Sequence, residues 1–185
     1  MKSSKTKGRF RVLSARTAFS GHVIRVEVLK IRCGSGHCLE RELIRHPGAA
    51  VIIPRLPDGR LVLLRQLRVA TGGNIWEFPA GTLEKGESAF QCAKRELQEE
   101  TGWVPGRLRK ALEFFPTPGI STEKMYLFVA DDLHKAKTQK PDLDEELMVR
   151  SFPACKVEEM IEKGSIIDGK TILGFLLLQK RFSNR

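Results

Sequence analysis

The sequence contains no apolar run approaching the roughly 18–20 residues of a membrane span, and its first twelve residues lack the apolar centre of a signal peptide. A soluble, cytoplasmic protein without membrane association is the expectation. Cysteine is scarce: Cys33, Cys38, Cys92 and Cys155 are all there are, and their spacing gives no disulfide framework. Cys33, His37 and Cys38 cluster in CGSGHC, but a structural zinc site needs a second pair of ligands and none follows. That segment reads as a Gly-rich hairpin turn. One Tyr and two Trp leave few rings to stack on a planar ligand. Acidic residues are sparse in the first quarter: residues 1–45 carry 11 Lys and Arg against 3 Asp and Glu, whereas residues 46–185 carry 21 against 19. The formal charge of +10 and the pI of about 9.7 therefore belong mainly to the N-terminal piece. A pI this high raises nucleic-acid binding as a class, yet the nearly balanced remainder argues against it for the whole molecule. The basic excess suits either a polyanion footprint or a flexible, solubilising tail at residues 1–8.

With 185 residues, the chain is long enough for one domain with a full core and a small extra element. Residues 9–45 alternate in short β-like runs separated by Gly-rich turns, which predicts a three-stranded antiparallel element. AAVIIP at 49–54 and RLVLLRQLR at 60–68 flank Leu-Pro-Asp-Gly, a hairpin signal. Their near-continuous apolar character predicts central strands. A short strand at 76–79 and a loop at 81–87 precede a helix over 88–101, with Ser88 as N-cap and Gly102 as its stop. Strands are expected at 108–115, 124–131 and 147–152, a polar loop at 132–143, and helices at 155–163 and 169–181.

Two motifs compete for function. GSIIDGKT at 164–171 satisfies the phosphate-loop pattern, but that loop must follow a strand. Here a helix-like segment precedes it, and few residues remain for a second magnesium-binding strand. It reads as a turn between helices, with Asp168 as N-cap. The other motif is GTLEKGESAFQCAKRELQEETGW at 81–103. On a helix, Glu96, Glu99 and Glu100 fall within about a 100° arc, on the side that also carries Ala89, Cys92 and Ala93. An ordinary surface helix keeps carboxylates on its wet face. Two carboxylates about 4 Å apart repel by roughly 4 kcal/mol at an effective dielectric near 20. Such a cluster either retains protons or holds a cation, and an all-oxygen ligand set favours Mg²⁺ or Mn²⁺ over zinc. Arg95 is placed to neutralise part of it.

The complete spacing is more specific than the cluster alone. Gly81, Glu87, Arg95-Glu96-Leu97, Glu99-Glu100, Gly102 and the apolar Trp103 occupy every fixed position of the Nudix box. At roughly 5–7% frequency per specified residue, a chance match in one chain is far below about one in a million. The sequence thus resembles the Nudix hydrolase family over about residues 45–180. The resemblance implies an α/β/α sandwich around a mixed sheet, with a small N-terminal antiparallel β element, and hydrolysis of nucleoside diphosphates linked to another group. It also implies that Glu96 and Glu100 are the main metal ligands, that Glu99 is a further ligand, and that the Ala80 carbonyl joins them. Gly81, Glu87, Arg95 and Gly102 would hold the box together.

Flanking segments resemble the ADP-ribose pyrophosphatase group: WEFPAG at 76–81, RQLR at 65–68, and Pro118, which lies 16 residues after Gly102. This resemblance implies Arg68 at the diphosphate, Arg65 as a second phosphate contact, and Glu77 and Glu123 on the nucleoside or ribose side. It implies a base on the acidic segment PDLDEELMV at 141–149, Glu146 first and Glu145 second. Adenine stacking would fall to Trp76, Phe78, Phe114, Phe115 or Tyr126. Members of the group commonly pair as homodimers through N-terminal strands, which implies a homodimer here. The expected reaction is Mg²⁺- or Mn²⁺-dependent cleavage of ADP-ribose to AMP and ribose 5-phosphate. Another nucleotide sugar such as GDP-mannose is the alternative, and a non-catalytic ADP-ribose or nucleic-acid binder a remote one. The expected division is a tail at 1–8, a β element at 9–45 for dimerisation and a hydrolase domain at 46–185.

Overall fold

The computed structural model describes residues 10–136 and 147–182. The tail expected at 1–8 and the acidic segment holding Glu145 and Glu146 lie outside the described residues. The chain forms two compact units, one of Met1–Pro47 with Thr117–Glu123 and one of Gly48–Pro116 with Lys124–Arg185.

The first unit contains three antiparallel strands, β1 (Phe10–Ser20), β2 (Arg25–Cys33) and β3 (Cys38–Arg45), in the order β1-β2-β3. CGSGHC is the β2–β3 turn, closed by Gly36 N–H donating to the Cys33 carbonyl and Cys33 N–H to that of His37. Among the described residues no three His, Cys, Asp or Glu side chains are gathered as a finished metal cage, here or elsewhere. Residues 117–123 return along β3: Ile44 N–H donates to Ile120 and Thr122 N–H to Ile44.

The second unit is built on β4 (Ala49–Pro54), β5 (Leu61–Arg68), β6 (Gly73–Glu77), β7 (Ala80–Thr82), β8 (Trp103–Phe114), β9 (Met125–Lys135) and β10 (Met148–Phe152). Its helices are α1 (Ala89–Thr101), α2 (Ala154–Glu162) and α3 (Gly169–Phe182). One sheet is mixed, β7-β4-β9-β8, with β4 and β9 parallel; the other, β10-β5-β6, is antiparallel. The Leu-Pro-Asp-Gly turn joins β4 to β5 as expected, yet the two strands diverge into different sheets after the single Arg55–Leu61 bridge.

The apolar strands are buried on both faces, and residues alternate between two cores as the strand period demands. Val51, Ile53, Leu61, Leu63, Leu127 and Val129 meet Val157, Met160, Phe175 and Leu178 of α2 and α3. Ala50, Ile52, Val62, Phe128 and Ala130 meet Cys92, Ala93 and Leu97 of α1. The α/β/α layering follows from that alternation.

Several boundaries differ from the sequence expectation, and the strand expected at 76–79 is β6, which runs Gly73–Glu77. The segment read as a loop at 81–87 begins with β7, because Ala80–Thr82 pairs with β4 despite its glycine. β8 starts at Trp103 rather than 108. β9 runs to Lys135, past the strand expected at 124–131 and through Asp132 into the segment that read as loop. Asp131 is tolerated there because Arg55 and Arg109 each hydrogen-bond it, at 2.8 Å. Burial alone would raise its pKa, but these two guanidiniums hold the carboxyl below its usual range.

Candidate active site

Helix α1 is fixed at both ends by its own sequence. Ser88 Oγ accepts from Gln91 N–H, and the Gln91 side chain accepts from Ser88 N–H in return, a reciprocal capping box. At the other end Gly102 takes a left-handed φ of 69° and donates to the Gln98 carbonyl. Between these caps Cys92, Ala93 and Leu97 enter the core, which sets the rotation of the helix. Burial and the nearby carboxylates of Glu96 and Glu87 push the Cys92 thiol up to about 12, so it is inert packing.

That rotation carries Glu96, Glu99 and Glu100 into one polar cleft of about 210 Å³, lined also by Gln66, Arg68, Ala80, Gly81, Thr82 and Leu147. Arg95 organises the cluster. Its Nε donates to Glu87 (2.9 Å), Nη1 to Glu96 (2.7 Å) and Glu99 (3.0 Å), and Nη2 to Glu87 (3.0 Å) and the Thr82 carbonyl (3.3 Å). Glu87 closes the box loop by accepting from Glu84 N–H at 3.0 Å, and the Arg95 hydrogen bonds hold its carboxyl below the usual range. Among the described residues Glu100 accepts no guanidinium hydrogen bond; it accepts from the Ala80 N–H at 3.0 Å, and the Arg68 charge acts on it without a bond. Burial, then the neighbouring Glu96, pushes the Glu100 carboxyl up to about 9. Glu96 is raised by burial as well, with Arg95 opposing.

A divalent ion suits this donor set. Hard oxygens converge on one cleft, and one of each pair on Glu96, Glu99 and Glu100 makes no hydrogen bond to a described residue. Gly81 leaves the room: a Cβ there would sit 1.8 Å from Glu96 Oε1. Gly81→Ala should therefore displace the Glu96 carboxylate and weaken the cleft's affinity for a divalent ion roughly 10–100-fold, with little loss of thermal stability. A Mg²⁺ titration followed by calorimetry checks this.

Of the flanking residues, Arg68 lines the cleft, together with Gln66, which the sequence reading did not single out. Arg65 is exposed and is not among the lining residues; the strand period that turns Gln66 and Arg68 inward turns Arg65 away. Glu77 is 1% exposed, and both of its oxygens are engaged, by Arg68 Nε (2.7 Å) and by Lys170 Nζ. Lys170 was not anticipated either. Glu123 belongs to the first unit, where its carboxylate lies 3.9 Å from His46 Nδ1. Of the aromatic candidates, Phe78 is fully buried, and Trp76 packs edge-on against Phe152 at 5.1 Å between ring centres. Tyr126 is half-buried. Phe114 and the exposed Phe115 line a separate groove with Met125, Lys170 and Leu173.

GSIIDGKT is the α2–α3 turn. Asp168 accepts from Thr171 N–H at 3.0 Å and from Thr171 Oγ1 at 2.5 Å, capping α3, while Thr171 Oγ1 accepts from Phe78 N–H at 2.8 Å.

Comparison with known proteins places this geometry. The NUDIX domain model matches residues 44–175. An ADP-ribose pyrophosphatase of Bacillus subtilis (strain 168) is 32% identical over 171 residues, covering 91% of this chain and 92% of that protein. A methanol dehydrogenase activator of Bacillus methanolicus is 33% identical over the same length. A GDP-mannose pyrophosphatase of Escherichia coli O1:K1 / APEC is 35% identical over 154 residues, covering 75% of this chain and 80% of that protein. A solved structure described as an ADP compounds hydrolase superposes with a TM-score of 0.81 over 98% of both chains, at 24% identity. With the box glutamates converging on one cleft and the family model spanning most of its length, the chain belongs to the Nudix family of hydrolases.

Proposed function

We propose that the protein cleaves the diphosphate bond of ADP-ribose, giving AMP and ribose 5-phosphate, with Mg²⁺ or Mn²⁺ as cofactor. The observation that carries this reading is the cleft that brings three carboxylates of one helix together with the Arg68 guanidinium. Cations there would face a diphosphate held by Arg68. Glu96, Glu99 and Glu100, with the Ala80 carbonyl, are the residues to hold the metal. When bound, it screens the diphosphate charge, stabilises charge developing in phosphoryl substitution and activates water. Arg95 and Glu87 keep the glutamates in place. Similarity to an ADP-ribose pyrophosphatase over nearly the whole chain supports the choice of substrate. The 35% identity to a GDP-mannose pyrophosphatase favours that nucleotide sugar as the second reading. Initial rates on both substrates at saturating Mg²⁺ separate them: AMP release from ADP-ribose is expected to dominate, and faster GMP release from GDP-mannose would reverse the assignment. Salt-sensitive nucleic-acid binding without hydrolysis of either would replace it with a binding function.

The base belongs on the acidic segment before β10, with Glu146 first and Glu145 second. Glu146→Gln should lower turnover roughly 10²–10⁴-fold while Mg²⁺ binding persists. If only Glu145→Gln does so, the base is one residue earlier. Residues 9–45 serve as a dimerisation element beside a hydrolase domain at 46–185, and the enzyme acts in the cytoplasm. Among the described residues no helix is long and apolar enough to cross a membrane. A mass independent of concentration and equal to one chain in light scattering would remove the homodimer.

A further inference from the structure

Buried Glu77 sits between two cations that approach different oxygens. Arg68 Nε donates to Oε1 at 2.7 Å, and Lys170 Nζ donates to Oε2. Lys170 is itself held by Asp168 Oδ1 at 3.0 Å, and both Lys170 and Asp168 are largely buried, at 12% and 14% side-chain exposure. Asp168 is locked in turn as the cap of α3 by its two bonds from Thr171. The lysine therefore arrives at Glu77 from a rigid helix start.

Arg68 is different. Its side chain is 38% exposed and lines the cleft; among the described residues its hydrogen bond runs through Nε, and its charge also acts on Glu100 across the cleft. An arginine facing a lone carboxylate prefers the two-bond fork, which uses a terminal nitrogen as well. Lys170, seated on the second oxygen, competes with that fork for Glu77.

We propose that Lys170 is a positioning residue for the substrate-binding guanidinium: by occupying Oε2 of Glu77 it limits Arg68 to a single bond through Nε and keeps both terminal nitrogens available to diphosphate oxygens. Glu77 then acts from beneath the cleft, not by touching ribose. The substrate in this inference rests on the function proposed above; the relay from Lys170 through Glu77 to Arg68 does not.

Two measurements test it. In Lys170→Met, KM for ADP-ribose should rise roughly tenfold, the loss of about one charged hydrogen bond, with kcat within about twofold. Lys170→Arg, which restores a cation at Oε2, should recover most of the KM. In an Arg68→Met background, Lys170→Met should add nothing further. An equal KM rise in that background, no rise at all, or no recovery by Lys170→Arg would overturn the inference. The second measurement needs no turnover: ¹⁵N-detected guanidinium NMR should show the Arg68 terminal nitrogens rotating freely in the wild type and locked in Lys170→Met as the fork with Glu77 forms. Unchanged Arg68 signals would overturn the relay. Lys170→Ala, which likewise leaves Oε2 of Glu77 without its donor, replaces Lys170→Met if the latter does not fold. Should the wild-type enzyme cleave no nucleoside diphosphate sugar, the functional reading falls, and the NMR result still decides the role of Lys170.

Discussion

Glu100→Gln is expected to lower kcat about 10³-fold while making the metal-free protein more resistant to heat above neutral pH. The activity loss corresponds to about 4 kcal/mol of transition-state stabilisation, within the range a bound cation supplies, because the amide keeps the shape but not the charge of the metal ligand proposed at this position. The stability gain has a separate origin. Burial holds the Glu100 carboxyl at about 9 against an ordinary 4.5, so the native chain keeps a proton that the unfolded chain releases over that interval. Stability from this group is complete below about pH 4.5 and is lost as pH rises through about 9. Gln removes the buried charge and still offers an oxygen to the Ala80 N–H, so it abolishes that decline. Melting temperatures at pH 6 and pH 9, with and without Mg²⁺, provide the check. The wild type should lose stability on going to pH 9 and regain it with Mg²⁺, and the variant should show a smaller loss and a smaller gain. A kcat within tenfold of wild type would remove Glu100 from the metal site.

Arg95→Met is expected to have the largest effect on folding, about 3 kcal/mol of destabilisation, which for a chain of this size lowers the melting temperature by roughly 6–12 °C. One guanidinium serves Glu87, Glu96, Glu99 and the Thr82 carbonyl. Glu87 and Glu96 have side chains only 12% and 13% exposed, so its loss leaves two poorly hydrated carboxylates without a counter-charge. Arg95→Lys should recover little, since one ammonium cannot span the fan of acceptors that the planar fork reaches. Thermal unfolding of both variants decides it. A loss for Arg95→Met of under about 1 kcal/mol, the scale of an exposed ion pair, would mean that solvent already screens the cluster.

The two variants mark what was legible in the sequence. Helix α1, both of its caps and the face carrying Glu96, Glu99 and Glu100 could be read directly, because Ser88, Gly102 and the three glutamates act through spacings of three and four residues. The alternating cores of β4, β5 and β9 were legible for a similar reason, since unbroken apolar runs are tolerated only between two covered faces. Features decided by partners distant in sequence were not. β7 is three residues, Ala-Gly-Thr, and becomes a strand only because β4 offers it an edge. β9 continues past Asp131 into the expected loop, with arginines from β8 and the β4 end neutralising that aspartate. Glu77 was legible as a candidate near the substrate, but the cation on its second oxygen was not, because Lys170 lies 93 residues away. The GKT of the rejected phosphate-loop match was the available signal: its lysine and threonine both reach the strand segment just before the box.

That Thr171 accepts the Phe78 N–H across a separation of 93 residues also has a bearing on when the enzyme matures. The Phe78 amide is buried and draws its hydrogen bond from this hydroxyl, so the backbone leading into the box is not satisfied until α3 has docked. Contacts of such long sequence separation form late, because the intervening chain must be ordered before they return any free energy. During synthesis, α1 can form with its caps as soon as Gly102 has emerged. The cleft above it stays unfinished until α3 has left the ribosome and closed against β6.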